Sequence, residues 1–236
     1  LSTNAIFIHG YPKKSGVEFD YYEKSVPTEL GDIIFIISII FNGQKYFEKF
    51  TINQFKKDVQ RKRAVSWNIK EEQLYLLSRF PTFRGVTGSI VPQKNFNLPN
   101  YSGCLGSYGL LYGPGDFAFI SGTRLGSYLN SSKRINTNDL FYIYRNEGTT
   151  NMDKLHCSWH GWSPMVEFCR CFYKPYCDLC FYLSPFNQIL GNCHFSMNVY
   201  DFASRYLRLC IGEPTETKVG ISNLKAKKFL YELLSS

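Results

Sequence analysis

A chain of 236 residues, 44% hydrophobic and 19% charged, has the composition of a folded globular protein, which excludes a disordered or fibrous chain. Its formal charge of +8 raises nucleic acid as a partner. The Lys and Arg are spread out, however, with short clusters only at Lys56-Lys57, Arg61-Lys62-Arg63 and residues 225–228, which is the pattern of a solvated surface. The outlying feature is aromatic: 17 Tyr, 20 Phe and 3 Trp supply enough large, partly polar surface for protein–protein contact as well as a core.

In chain order, residues 1–28 mix polar residues with Tyr21-Tyr22 and Pro27, and read as an arm with one short strand at Ala5–His9. The first residues hold no apolar stretch of the kind a secretory signal needs, and the sequence starts at Leu1 without a Met. Ile33–Phe41 is apolar on both faces, which predicts a central, covered strand; nine residues fall far short of the roughly 20 that a bilayer span requires. Asn42-Gly43 predicts a type I′ hairpin turn, and Gln44–Phe50 alternates as a second strand, with Tyr46, Glu48 and Phe50 on one side. Thr51 and Gln54 match a capping box, predicting a helix to about Arg61 that packs Phe55 and Val59 and turns Lys56, Lys57 and Asp58 outward.

A second helix is expected over Lys70–Ser78, before Pro81. Residues 82–150, rich in Gly, Ser, Asn and Tyr, read as short strands such as Phe117–Ile120 and Leu140–Tyr144 joined by turns. Ser196 is the expected N-cap of a helix over Met197–Cys210, with Val199, Ala203, Tyr206, Leu207 and Cys210 as its buried stripe and Gly212 and Pro214 closing it. Lys218–Ser222 reads as an edge strand, and Asn223–Leu234 as an amphipathic helix with Leu224, Leu230 and Leu234 inward. Without repeats or linkers, residues 1–236 form a single domain, mainly β with three to four flanking helices. Its core, residues 29–236, is expected to be a compact antiparallel β-sandwich.

Three constellations bear on chemistry. Cys169, Cys171, Cys177 and Cys180, with His156, Cys157 and His160 upstream, are residue types that bind zinc, but the spacing is no standard zinc pattern and buried free thiols explain it better. The four histidines, His9, His156, His160 and His194, offer no local pairing that singles out a catalytic base. The glycines of Gly103–Asp116 lack the Gly-Lys-Ser/Thr ending of a phosphate loop and read as turn glycines. The expectation is therefore no catalytic residue, no metal and no cofactor.

Gly31-Asp32, the long apolar-aromatic strand after it, the short polar turn and the helix with Phe and Lys, to about Arg61, resemble the corresponding strand–hairpin–strand–helix unit of the cypovirus polyhedrins. The stretch "MNVYDFASRYLRLC", Met197–Cys210, is similar to that family's late helix. The resemblance implies a non-enzymatic structural protein that assembles with itself as trimers and packs into crystals. These occlusion bodies would lie in the host cell cytoplasm, embed virus particles and hold nucleotides between subunits, without a membrane. Polyhedrins carry an amino-terminal helix that enters a neighbour. Residues 1–28, with Gly10, Pro12, Gly16 and Pro27, do not read as a helix, so here the arm would exchange as an extended segment. At strongly alkaline pH 17 Tyr phenolates would join 19 carboxylates against Arg alone, reversing the charge and dissolving such a crystal. The alternatives are a small basic ribonuclease or toxin using His and Lys or Glu, and a zinc-stabilised binding module.

Overall fold

The computed structural model describes residues 1–9, 15–58, 65–112, 115–128, 134–140, 194–196, 198–217 and 222–235. Ile33–Phe41 (β4) and Gln44–Lys57 (β5) form the expected hairpin, with Asn42 and Gly43 both at positive φ, 49° and 73°. Gly43 has open space around it, so a side chain there meets backbone strain alone. Gly43→Ala should lower stability by about 1 kcal/mol, read as a shift of the urea midpoint at unchanged slope.

β5 does not stop at Phe50. The capping-box helix predicted over residues 51–61 is absent from its described part: the chain stays extended through Lys57, and the described residues then break off at Asp58. A capping box is worth only about 1 kcal/mol, whereas residues 47–54 are buried on both faces and pair on both edges. The Thr51 hydroxyl, expected to cap, instead donates to the Leu105 carbonyl at 3.2 Å and meets Ser107 Oγ at 3.1 Å.

Along one edge β5 pairs antiparallel with β4. Its other edge is shared. Residues 47–50 pair antiparallel with Glu213–Thr217 (β12), and residues 52–57 pair parallel with Gly106–Leu111 (β8). The parallel pair is reached through a crossover that contains Ser66–Asn68 (β6), Glu71–Arg79 (α1) and Phe83–Gly85 (β7). Ser2–Phe7 (β1) lies antiparallel beside β4, starting three residues and ending two residues before the predicted strand, and Phe117–Ser121 (β9) and Phe195–Ser196 (β11) complete a seven-stranded mixed sheet. Gly16–Tyr21 (β2), Lys24–Glu29 (β3) and β7 make a second, three-stranded sheet, and Arg134–Asn136 (β10) pairs with β6.

The mainly β architecture with flanking helices holds, but the strands are not all antiparallel, because the α1 crossover makes β5 and β8 run together. Strand alternation splits β4 between two cores. Ile34 and Ile36 join Leu76 and Leu77 of α1, Leu125 of Gly122–Tyr128 (α2), and Phe229 and Leu230 of Leu224–Leu234 (α4). Ile37, with Phe35 and Ile39 at its rim, joins Phe47, Phe119, and Phe202 and Tyr206 of Val199–Leu207 (α3). Helices therefore meet both faces of the sheet.

Two helix stripes differ from expectation. α3 is capped by Asn198, whose side chain accepts from the Asp201 N–H, and it buries Phe202 and Tyr206 while Ala203 and Leu207 face out. α4 is capped by Asn223 and buries Ala226, Phe229, Leu230 and Leu233, leaving Leu224 70% exposed and Leu234 48% exposed. In both, the aromatic residue in the middle of the helix sets the buried face, because it has the most area to remove from water. The strand expected at 218–222 and most of Leu140–Tyr144 lie outside the described residues.

Candidate active site

Asp32 immediately precedes β4 and sits between β1 and β5. Its carbonyl accepts from the N–H groups of Ile8 (2.8 Å) and His9 (3.1 Å), and its own N–H donates to Asn53 O at 2.8 Å. Gly31 makes this approach possible: a Cβ on it would lie 2.8 Å from Ile52 Cγ2 and 3.1 Å from Asn53 O. The backbone bonds bring His9 beside the Asp32 carboxylate, with Nδ1 2.8 Å from Oδ1. The same nitrogen is 3.0 Å from Oε1 of Glu29, which ends β3. One atom from each of His9, Glu29 and Asp32 lies within 4.8 Å of the others, the one such His and acid cluster among the described residues.

The second carboxylate oxygen of Asp32 is held by β5. It accepts from the Phe55 N–H at 2.6 Å and from Gln54 Nε2 at 2.5 Å. Strand alternation puts Lys56 on the same face as Gln54. Its Nζ donates to Oε1 of Gln73, in the first turn of α1, at 2.8 Å. Burial pushes the Lys56 ammonium below the usual lysine range; Asp32 pulls it back up, Lys70 adds to the depression and Glu29 opposes it. Exposure is graded across the cluster: the side chains of His9, Glu29 and Asp32 are 63%, 31% and 14% exposed. The carboxylates thus line a floor that is open to solvent on the His9 side.

Two carboxylates and one imidazole form a hard, oxygen-rich donor set with no thiolate, which suits Mg²⁺ or Mn²⁺ more than a structural zinc. A half-buried lysine with a lowered pKa next to it is the type of group that moves protons.

Of the residues singled out in the sequence, His9 belongs to this cluster. His194 does not: its Nδ1 is 3.0 Å from Ser121 Oγ and 3.4 Å from Cys104 Sγ, on the far strand pair. His156, Cys157, His160, Cys169, Cys171, Cys177 and Cys180 lie outside the described residues. In the Gly103–Asp116 stretch Gly103 and Gly115 take positive φ in turns as expected, and Gly106 serves close packing against α1. A separate hollow of about 400 Å³, lined by Glu18, Arg84, Gly85, Val86, Thr87 and Gln93, has its charges paired, with Arg84 Nε 2.6 Å from Glu18 Oε1.

Glu29, Asp32, Gln54, Lys56 and Gln73 were not legible as a site. The available signal was an acid just before a central apolar strand and a Gln-x-Lys on the partner strand, and reading residues 51–61 as a helix hid it. No family model, no curated protein and no solved structure matches the chain.

Proposed function

We propose that this chain is a divalent-cation-dependent phosphodiesterase acting on nucleic acid, with His9, Glu29 and Asp32 as cation ligands and Lys56 facing the attacking water. The observation that supports it is the convergence of the three ligand atoms within 4.8 Å at the strand that also presents Lys56. It departs from the ribonuclease alternative, which used His with Lys or Glu for proton transfer and no metal. A bound Mg²⁺ or Mn²⁺ supplies Lewis acidity toward the phosphoryl oxygen and a more acidic water.

The chain's own residues do the rest. Asp32 is fixed by two N–H donors, so it keeps its place without a cation. Lys56, readier than an ordinary lysine to be neutral, takes a proton as the water oxygen bonds to phosphorus. The P–O bond to the leaving nucleoside breaks, its oxygen gains a proton from solvent, and a phosphate monoester and a free hydroxyl result. The +8 formal charge attracts a polyanionic substrate.

The test is incubation of the purified protein with labelled single- and double-stranded DNA and RNA, with Mn²⁺ or Mg²⁺ and with a chelator. Cleavage that needs the cation is the expected result; intact substrates throughout would overturn the proposal. Lys56→Met should lower kcat by about 10²–10⁴-fold. The wild-type rate should rise with pH as Lys56 loses its proton, with a midpoint below the ordinary lysine value of about 10.4, and the variant should lack that rise. A pH–rate profile of both proteins checks this.

A second reading follows the polyhedrin resemblance: a compact antiparallel sandwich that assembles as trimers into a crystalline lattice. Exposed aromatic side chains favour it, with Tyr200, Tyr22, Phe7, Tyr101 and Phe41 between 83% and 62% exposed. Burial raises the pKa of Tyr108 and Tyr206, so its alkaline charge reversal would come from exposed phenols instead. Refractile crystals in expressing insect cells, with no cation-dependent cleavage by the dissolved protein, would favour the lattice. A soluble, monodisperse protein that cleaves would exclude it.

A further inference from the structure

We infer that Gln73 is a positioning residue for the proposed hydrolysis: its one buried amide ties the Lys56 ammonium, the Gln54 side chain and the Glu29 backbone to helix α1. This rests on the phosphodiesterase proposal and adds to it a residue that touches neither cation nor substrate.

Gln is ordinarily an exposed residue, yet Gln73 is 2% exposed in the first turn of a surface helix. All of its hydrogen-bonding atoms are used. Oε1 accepts from Lys56 Nζ at 2.8 Å, while Nε2 donates to the Glu29 carbonyl at 3.2 Å and to Gln54 Oε1. Gln54 in turn donates from Nε2 to Asp32 Oδ2. The chemistry at the ends fixes every amide in this relay. An ammonium only donates, so it must meet Oε1 of Gln73, which leaves Nε2 for the Glu29 carbonyl, and a carbonyl only accepts. Gln54 must then offer its oxygen to Gln73 and its nitrogen to the Asp32 carboxylate. The relay has one consistent orientation: it turns Gln54 to the Asp32 carboxylate and fixes the Lys56 ammonium on Gln73 Oε1. A free lysine side chain spreads over many rotamers; Gln73 selects one.

A double-mutant cycle on the full chain tests this. Gln73→Met keeps the volume and removes every hydrogen bond. Expected is a fall in kcat of about 10–100-fold with KM within about threefold, since misplacing a reacting group by about 1 Å costs on the order of 10². The calorimetric Mn²⁺ affinity should also stay within about threefold. In a Lys56→Met background the same substitution should lower kcat no further, because the group it positions is gone. Gln73→Glu cannot donate to the Glu29 carbonyl or to Gln54 and places a carboxylate that holds Lys56 protonated, so it should not restore the lost kcat. Should Gln73→Met not fold, Gln73→Asn, one methylene short of Lys56, takes its place in the cycle.

A kcat change below twofold, an equal loss in both backgrounds, or collapse of Mn²⁺ affinity would overturn the positioning role while leaving the phosphodiesterase proposal standing. A wild-type protein that cleaves nothing overturns both.

Discussion

Asp32→Asn should abolish cation-dependent cleavage, by about 10³-fold or more, in a protein that still folds. The substitution is nearly isosteric, and its remaining carbonyl oxygen can still accept from the Phe55 N–H, now 2.6 Å from Oδ2. The backbone bonds that seat residue 32, from Ile8 and His9 and to Asn53, do not involve the side chain. What is lost is one of two negative charges facing His9 Nδ1, and with it a charged ligand of the proposed divalent-ion site. Affinity for such ions follows the number of charged ligands, so Mn²⁺ binding measured by calorimetry should weaken along with cleavage. Near-wild-type far-UV circular dichroism and urea midpoint would show that the loss is local. Cleavage at the wild-type rate would mean that the His9–Glu29–Asp32 cluster is an ordinary surface ion pair.

Gly106→Ala should be strongly destabilising, costing about 3 kcal/mol or more. A Cβ at residue 106 would sit 2.2 Å from the Leu77 carbonyl oxygen and 2.9 Å from both Leu77 C and Cα. These are backbone atoms of α1, so no side-chain rotation relieves the clash. The helix must lift from β8, and Leu76, Leu77, Tyr108 and Leu110, all fully buried, lose contact. Gly122 faces the same carbonyl, with its Cβ position 2.5 Å away, so Gly106→Ala and Gly122→Ala together should cost less than their sum. Urea denaturation of the two single variants and the double variant measures this. Because α1 carries Gln73, the Gly106 variant should also lose hydrolytic rate while its Mn²⁺ ligands stay in place.

Much of the fold was legible where a local rule and the tertiary environment agreed. Ile33–Phe41 is apolar on both faces and is covered on both through Ile39, while Ile40 and Phe41 are exposed. Asn42-Gly43 needs positive φ and takes it. α1 falls within one residue of its expected bounds. Where the rules disagreed the environment won. Thr51-x-x-Gln54 fits a helix start, but a segment with partners on both edges gains more from its ladders than from a cap. The same error concealed the site, because a helix turns Lys56 outward and a strand sets it two residues from Gln54 on one face.

By itself, the order of residues determined the hairpin, helices α1, α3 and α4 and the turn glycines, because each depends on neighbours within a few positions along the chain. It also excluded a bilayer span at Ile33–Phe41, and no helix among the described residues is long and apolar enough to be one. Only the tertiary structure decided that β5 continues past Phe50, that it runs parallel to β8, and that His9, Glu29, Asp32, Lys56 and Gln73 meet. These five come from four strands or loops and a helix, separated by up to 64 positions between His9 and Gln73. Contacts over that distance are set by burial and strand pairing across the whole sheet, which no short stretch of sequence encodes.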